Sequence, residues 1–137
     1  MKVVLDTNVL VSALIKAGKP RELFNKLARD KEIVLSKAIF EEFLDVMEDP
    51  KVAKYTNEQD VAIFLKTLGN AARIVQVKSR FKAVKADPDD DIIVRAAYDA
   101  KADYIVSGDR HLLSLKKFKG IRILTVDEML NVLNTKN

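Results

Sequence analysis

Five short aliphatic runs, spaced by helix-forming stretches, constrain this chain more than any other feature. Lys2-Val3-Val4-Leu5, Glu32-Ile33-Val34-Leu35, Arg73-Ile74-Val75-Gln76-Val77, Asp103-Tyr104-Ile105-Val106 and Ile121-Arg122-Ile123-Leu124 each have the length and β-branched content of a strand. Helical patterns lie between them. Val9 to Ile15 is apolar, and Gly18-Lys19 ends it. Pro20 suits a first helical position, and Leu23, Phe24, Leu27 and Ala28 follow as a stripe. Ser36 caps a helix carrying Ile39, Phe40, Phe43, Val46 and Met47. Pro50 ends it or starts a short new one. Thr56 and Gln59 form a capping box for a helix with Val61, Phe64, Leu65 and Leu68. Pro88-Asp89-Asp90-Asp91 opens a helix through Ala100, and Thr125 with Glu128 caps the last one.

Strands alternating with helices predict an α/β fold with a mostly parallel sheet. Right-handed crossovers favour three layers and a doubly wound five-stranded sheet, in the order 3-2-1-4-5. A helical excursion over about 36–70 separates the second and third strands. The length of 137 residues suits a single domain over 1–137. Val3-Val4-Leu5 is too short for a signal segment and Asp6 interrupts it, and there is no apolar run of membrane-spanning length. The expectation is a cytoplasmic protein with no membrane association.

The chain has no Cys and 1 His. Thiol nucleophiles, Cys-ligated metals, paired imidazoles and multi-His sites are therefore excluded, and any catalysis must lean on carboxylates, Lys, Ser or Thr. In a doubly wound sheet, ligands bind beyond the carboxyl ends of the strands, where the strand order reverses. Asp6 follows the first strand there, and Asp109 follows the fourth. Asp91 opens the helix feeding the fourth strand, and Glu42 lies two turns into the helix after the second. Each acid alone has a plain structural explanation: Asp6, Asp91 and Asp109 as helix caps, Glu42 as part of a solvated face. Together they would repel one another at one sheet edge, and a divalent cation offsets that repulsion. All-oxygen ligation suits Mg²⁺ or Mn²⁺, and the chemistry such an ion supplies is hydrolysis of a phosphodiester.

Four segments carry a resemblance that covers essentially the whole chain. They are Val3-Val4-Leu5-Asp6-Thr7-Asn8; Leu35-Ser36 with Glu42-Phe43; Asp87-Pro88-Asp89-Asp90-Asp91-Ile92-Ile93 leading into Ala96-Ala97; and Ala102-Asp103-Tyr104-Ile105-Val106-Ser107-Gly108-Asp109 followed by His111-Leu112-Leu113. In this order and spacing the chain resembles the PIN-domain ribonucleases, which include toxins of the VapC type. The resemblance implies four catalytic, metal-binding acids: Asp6, Glu42, Asp91 and Asp109. Asn8 and Ser107 match polar positions near that site. It further implies Mg²⁺ or Mn²⁺ as cofactor and an RNA substrate cut by an activated water to leave a 5′-phosphate. An antitoxin protein as partner and pairing into homodimers or larger homo-oligomers are also implied. Helical geometry leaves Glu41 and Glu42 open, favouring Glu42 slightly because it flanks the apolar arc beside Val46. Asp89 and Asp90 are expected to cap the helix or support Asp91.

Two further features bear on nucleic acid. Lys78, Arg80, Lys82 and Lys85 precede the acidic run, with Phe81 among them. They read as phosphate contacts with a base-stacking ring, or as a solvated linker whose Phe81 covers the core edge. Lys116, Lys117 and Lys119 read as solvated, and His111 as a partly buried structural residue. The competing function is a non-catalytic PIN-like module that binds RNA or protein. A dehalogenase-type phosphotransferase would want Asp where Asn8 stands, and a receiver domain would want an acid after the third strand, where Val77-Lys78 stands.

Overall fold

The computed structural model describes residues 1–83 and 88–135. The chain begins with β1 (Val3–Leu5), α1 (Thr7–Ile15), α2 (Lys19–Arg29) and β2 (Ile33–Ser36). Three helices follow, α3 (Lys37–Glu48), α4 (Pro50–Ala53) and α5 (Glu58–Ala71), before β3 (Arg73–Val75). The second half comprises α6 (Pro88–Ala100), β4 (Tyr104–Val106), α7 (Arg110–Leu115), β5 (Lys117–Phe118), β6 (Ile121–Leu124) and α8 (Val126–Thr135).

The sheet order is β3-β2-β1-β4-β6-β5. Every pair is parallel except β5 with β6. The expected five-strand order is therefore present, with Ile121–Leu124 beside β4, and β5 is an addition at the edge. Lys119 and Gly120 both have positive φ (48° and 87°), so they form the tight turn that folds Lys117-Phe118 back on Ile121-Arg122. β3 stops at Val75, short of the expected Val77, because its last partner is Ser36 and the neighbouring strand becomes α3 at Lys37.

β1 lies in the middle of the sheet, and Val3, Val4 and Leu5 are all buried. This is why the run has no alternation: a central parallel strand has core on both faces. α6 packs across β1, β2, β3 and β4. α1 packs on α2, α3 and α5, and α2 also meets α8. Right-handed crossovers in opposite directions put these two groups on opposite faces. Phe64 holds the helical excursion to the core, stacking on Phe24 (4.5 Å) and Phe43 (5.6 Å).

Ser36 caps α3 through Ile39 N–H, and Thr125 with Glu128 makes the reciprocal box on α8, as the sequence predicts. The start of α5 differs by one residue. Asn57 caps it, accepting from Asp60 N–H at 2.8 Å and donating back to Asp60 Oδ2 at 3.1 Å. Thr56 is left with a buried hydroxyl that has no partner among the described residues. No helix among those residues is long and apolar enough to cross a membrane.

Candidate active site

Strand register builds a polar row at the carboxyl edge of the sheet. Leu5 pairs with Val106, and Val106 pairs with Leu124. The residues just beyond these pairs, Asp6, Ser107 and Thr125, therefore lie side by side across β1, β4 and β6. Continuing the β1–β2 register adds Ser36 on the other side of Asp6. Backbone bonds lock the row: Asp6 N–H donates to Val106 O at 2.9 Å and Ser107 N–H to Leu124 O at 3.0 Å. This is also where the strand order reverses, between β1 and β4.

Asp6 occupies the cap position of α1, where the N–H groups of Thr7 and Asn8 act on its carboxylate without a well-formed cap hydrogen bond. Its best-formed bond is accepted from the Ser107 hydroxyl across the strand boundary, at 2.6 Å. Asp6 is 6% exposed and Ser107 fully buried. Burial is the largest influence on the Asp6 carboxyl and pushes its pKa up, and the charge of Asp109 pushes the same way. The Ser107 hydroxyl and the N–H groups of Thr7 and Asn8 pull it down without offsetting burial, so Asp6 titrates above the ordinary carboxylate value. Thr7 beside it has a buried hydroxyl with no partner among the described residues.

Ser107 also accepts from Asp109 N–H at 2.9 Å, so one hydroxyl joins both acids. Asp109 caps α7 as a turn residue should, taking His111 N–H at 2.7 Å and Leu112 N–H at 3.3 Å. His111 is exposed, where partial burial was expected. A cleft of about 350 Å³ opens beside this network. Asn8, Ser12, Lys19, Ser107, Gly108 and Thr125 line it. The sequence offers no sign that Ser12, Lys19 and Thr125 belong to the site. Ser12 lies one helical turn after Asn8, and Thr125 lies next to Ser107 by register, so both become visible only once the strands are paired.

The remaining acids sit on helices. Asp91 (2% exposed) and Asp90 (6%) are both buried in the first turn of α6. Asp91 Oδ1 accepts from Ala83 N–H at 2.7 Å. Burial of Asp90 exceeds what a helix-capping role predicts. Glu41 is exposed and turned to Lys37 at 3.8 Å, whereas Glu42 is half-buried, which separates the two more clearly than the helical pattern does. Lys78, Arg80 and Lys82 are exposed, and Lys85 and Asp87 lie outside the described residues. Phe81 is not presented to a base: it stacks on Phe118 and meets Tyr98 edge-on, each at 5.3 Å.

A model of the PIN domain matches residues 2–111, which takes in β1 through the start of α7. The chain belongs to the PIN-domain family. It is 33% identical over 119 residues to Uncharacterized protein MJ1680 of Methanocaldococcus jannaschii, covering 85% of this chain and 76% of that protein. Its fold is similar to a chain in the crystal structure of VapBC2 from Rickettsia felis bound to a DNA fragment from their promoter. The TM-score is 0.60 at 16% identity, covering 91% of this chain and 98% of that one.

This PIN domain thus brings Asp6, Ser107 and Asp109 into one network and keeps Asp91 and Glu42 on the flanking helices. Every polar side chain in the network ends in oxygen, the donor type that Mg²⁺ and Mn²⁺ prefer. A cation beside Asp6 would also relieve the desolvation that holds its pKa up. On donor chemistry the residues fit a hard divalent ion. Among the described residues, however, no group of three or more His, Asp or Glu side chains is gathered closely enough to hold one.

Proposed function

We propose that this PIN domain is a metal-dependent endoribonuclease, the toxin of a toxin–antitoxin pair. The observation that carries the reading is Asp6. It is a buried acid at the switch point of a PIN fold, bound to the Ser107 hydroxyl beside Asp109. A buried carboxylate with a raised pKa is costly to keep, and such groups cluster at functional sites.

Asp6 and Asp109 would hold Mg²⁺ or Mn²⁺, with Asp91 and Glu42 completing the ligand set. A bound ion would lower the pKa of a coordinated water and stabilise charge on the phosphoryl group. Ser107 orients both sheet-edge acids: its hydroxyl proton goes to Asp6 Oδ2 and its lone pair takes Asp109 N–H. Ala83 N–H fixes the rotamer of Asp91. Asn8 and Ser12 face the cleft one turn apart on α1 and offer hydrogen bonds to a ribose or base. Lys78, Arg80, Lys82 and Lys85 supply positive charge for the RNA backbone. The VapBC2 likeness supports an antitoxin protein as partner, and we extend the reading to a homodimer or larger homo-oligomer in the cytoplasm.

The competing reading is a non-catalytic module that binds RNA or protein. What favours it is that no three acids are gathered among the described residues. Purified protein decides between them. We expect cleavage of single-stranded RNA with Mg²⁺ or Mn²⁺, none in EDTA, and at least a ~100-fold loss in Asp6→Asn, since even residues behind metal ligands contribute about 10–100-fold. Cleavage that persists in EDTA or in that variant overturns the carboxylate–metal assignment.

A further inference from the structure

Asp91, Arg95 and Asp99 recur every four residues along α6 and so share one face. Each holds the backbone of the segment that precedes the helix. Asp99 Oδ2 accepts from Lys78 N–H (2.8 Å), Ser79 N–H (3.0 Å) and the Ser79 hydroxyl (2.9 Å). Arg95 Nε donates to Phe81 O at 2.8 Å, and Asp91 Oδ1 accepts from Ala83 N–H at 2.7 Å. The segment therefore runs antiparallel to α6, from its last turn to its first. The spacings agree: eight helical residues rise about 12 Å, and the four residue steps from Ser79 to Ala83 span about 13 Å when extended.

An extended chain alternates, and this one does. Val77, Ser79, Phe81 and Ala83 are half-buried, while Lys78, Arg80 and Lys82 are exposed. Phe81 anchors the inward row on Phe118 and Tyr98. The outward row is entirely cationic, with neighbours about 7 Å apart. Its inner end is tied to Asp91.

We infer that Arg95 and Asp99 are positioning residues. They stretch residues 77–83 along α6 so that Lys78, Arg80 and Lys82 form a straight row of cations that receives successive phosphates of single-stranded RNA and leads them to Asp91. This rests on the nuclease reading only for what happens at Asp91; the row itself requires only that the chain binds RNA. A strap serving the fold alone needs acceptors on the inside and has no use for a base at every outward position. The tie at Asp99 is strong. Desolvation pushes that carboxyl up, but the N–H groups of Ser79 and Lys78, the Ser79 hydroxyl and the Lys78 charge together bring it below the ordinary value.

The test uses two variants with the same charge change. On a passive surface, Asp99→Ala and Asp99→Asn each remove one negative charge and strengthen RNA binding alike. If Asp99 stretches the row, the alanine variant loses the acceptor and the asparagine variant keeps one. Binding of a labelled single-stranded RNA oligonucleotide to the full chain is measured in EDTA across a salt series, with melting curves for each variant. The expected result is about fivefold weaker binding by Asp99→Ala, with the slope of log affinity against log salt smaller by about 1. Asp99→Asn should stay within about twofold of the starting protein. Each phosphate contact of a single strand contributes roughly 0.7 to that slope. Replacing Lys78, Arg80 and Lys82 together by Gln should lower it by about 2 while leaving the melting curve in place. That variant tests the row should Asp99→Ala unfold.

Equal binding by the two Asp99 variants, tighter binding by Asp99→Ala, or an unchanged slope in the Gln variant overturns the row. The two readings fail separately. Different binding by the two variants with no Mn²⁺-dependent cleavage keeps the row and removes the nuclease. Cleavage with equal binding keeps the nuclease and removes the row.

Discussion

The two ends of the sheet are both under strain, and the strain differs in kind. At the carboxyl edge it is electrostatic: Asp6, Thr7 and Ser107 are polar residues buried where apolar ones would pack. At the opposite edge it is conformational. α2 and α6 each end with a lysine in the left-handed region, Lys31 and Lys101, both at φ 55°. The bonding is the same at both. Lys31 N–H reaches Ala28 O and Glu32 N–H reaches Leu27 O; Lys101 N–H reaches Tyr98 O and Ala102 N–H reaches Ala97 O. This six-residue helix ending is where glycine is usually found. The difference teaches that strain alone does not locate a function. The carboxyl edge is singled out because Asp6 and Ser107 bond side chain to side chain between β1 and β4 and Ser107 lines a cleft, whereas the lysines close helix endings through their backbones, with Lys31 O also accepting from Arg73 Nε.

Asp6 gives the largest test of that contrast. Its folded-state pKa is raised, so below the unfolded value of about 3.9 it is protonated in both states and burial carries no penalty. As pH rises through the folded pKa, the native state must hold a buried charge and stability is lost. Asp6→Asn removes that loss. In EDTA at pH 7 the variant should therefore melt at a higher temperature than the starting protein, with the gap closing as the pH falls toward 4, while RNA cleavage measured separately with Mn²⁺ falls at least ~100-fold. A variant that melts lower at pH 7 would mean that Asp6 is a structural acid and that the contrast between the two ends is false. Ser107→Ala comes next. It leaves both acids in place and removes the hydroxyl that joins them. Cleavage should fall about 10–100-fold, mostly recoverable at higher Mn²⁺ concentration if the loss is one of ligand orientation. A loss that added metal leaves untouched would place Ser107 in the core rather than behind the ligands.

How much of this was legible in the sequence follows from how local each signal is. The buried strand Val3–Leu5, the caps at Ser36 and Thr125, and the strand order all rest on short patterns or general chirality, and all are present. The resemblance named Asp6 and Ser107 as neighbours of one site, and the Leu5–Val106 register makes them adjacent. β5 escaped notice because a two-residue strand has no periodicity and its turn is Lys-Gly, without the Asn or Asp that usually marks one. The α5 cap was displaced because Thr56 and Asn57 are both good caps and only packing chooses between them. Phe81 and the rungs from Asp91 to Asp99 depend on a pairing between a loop and the helix after it, which no local pattern records.

The smallest effect tests the other end of the sheet. A left-handed conformation costs an L residue about 1–2 kcal/mol. Glycine escapes that cost but loses roughly 0.5–1 kcal/mol of extra chain entropy on folding. Lys31→Gly and Lys101→Gly also give up a cation near a helix C-terminus, worth about 0.3–1 kcal/mol at an exposed site. At mid-range these terms nearly cancel, so each glycine variant should melt close to the starting protein but about 0.7 kcal/mol, roughly 3 °C, above the matching alanine variant, with RNA cleavage unchanged. Lys31→Ala and Lys101→Ala are the controls. They lose the same charge without gaining the conformational freedom, so they should melt no higher than the starting protein. If the glycine variants are no more stable than the alanine ones, the lysines carry no strain. If they are more stable but cleave RNA poorly, the two ends of the sheet are coupled, and the lower edge contributes to the site through β2 and β4.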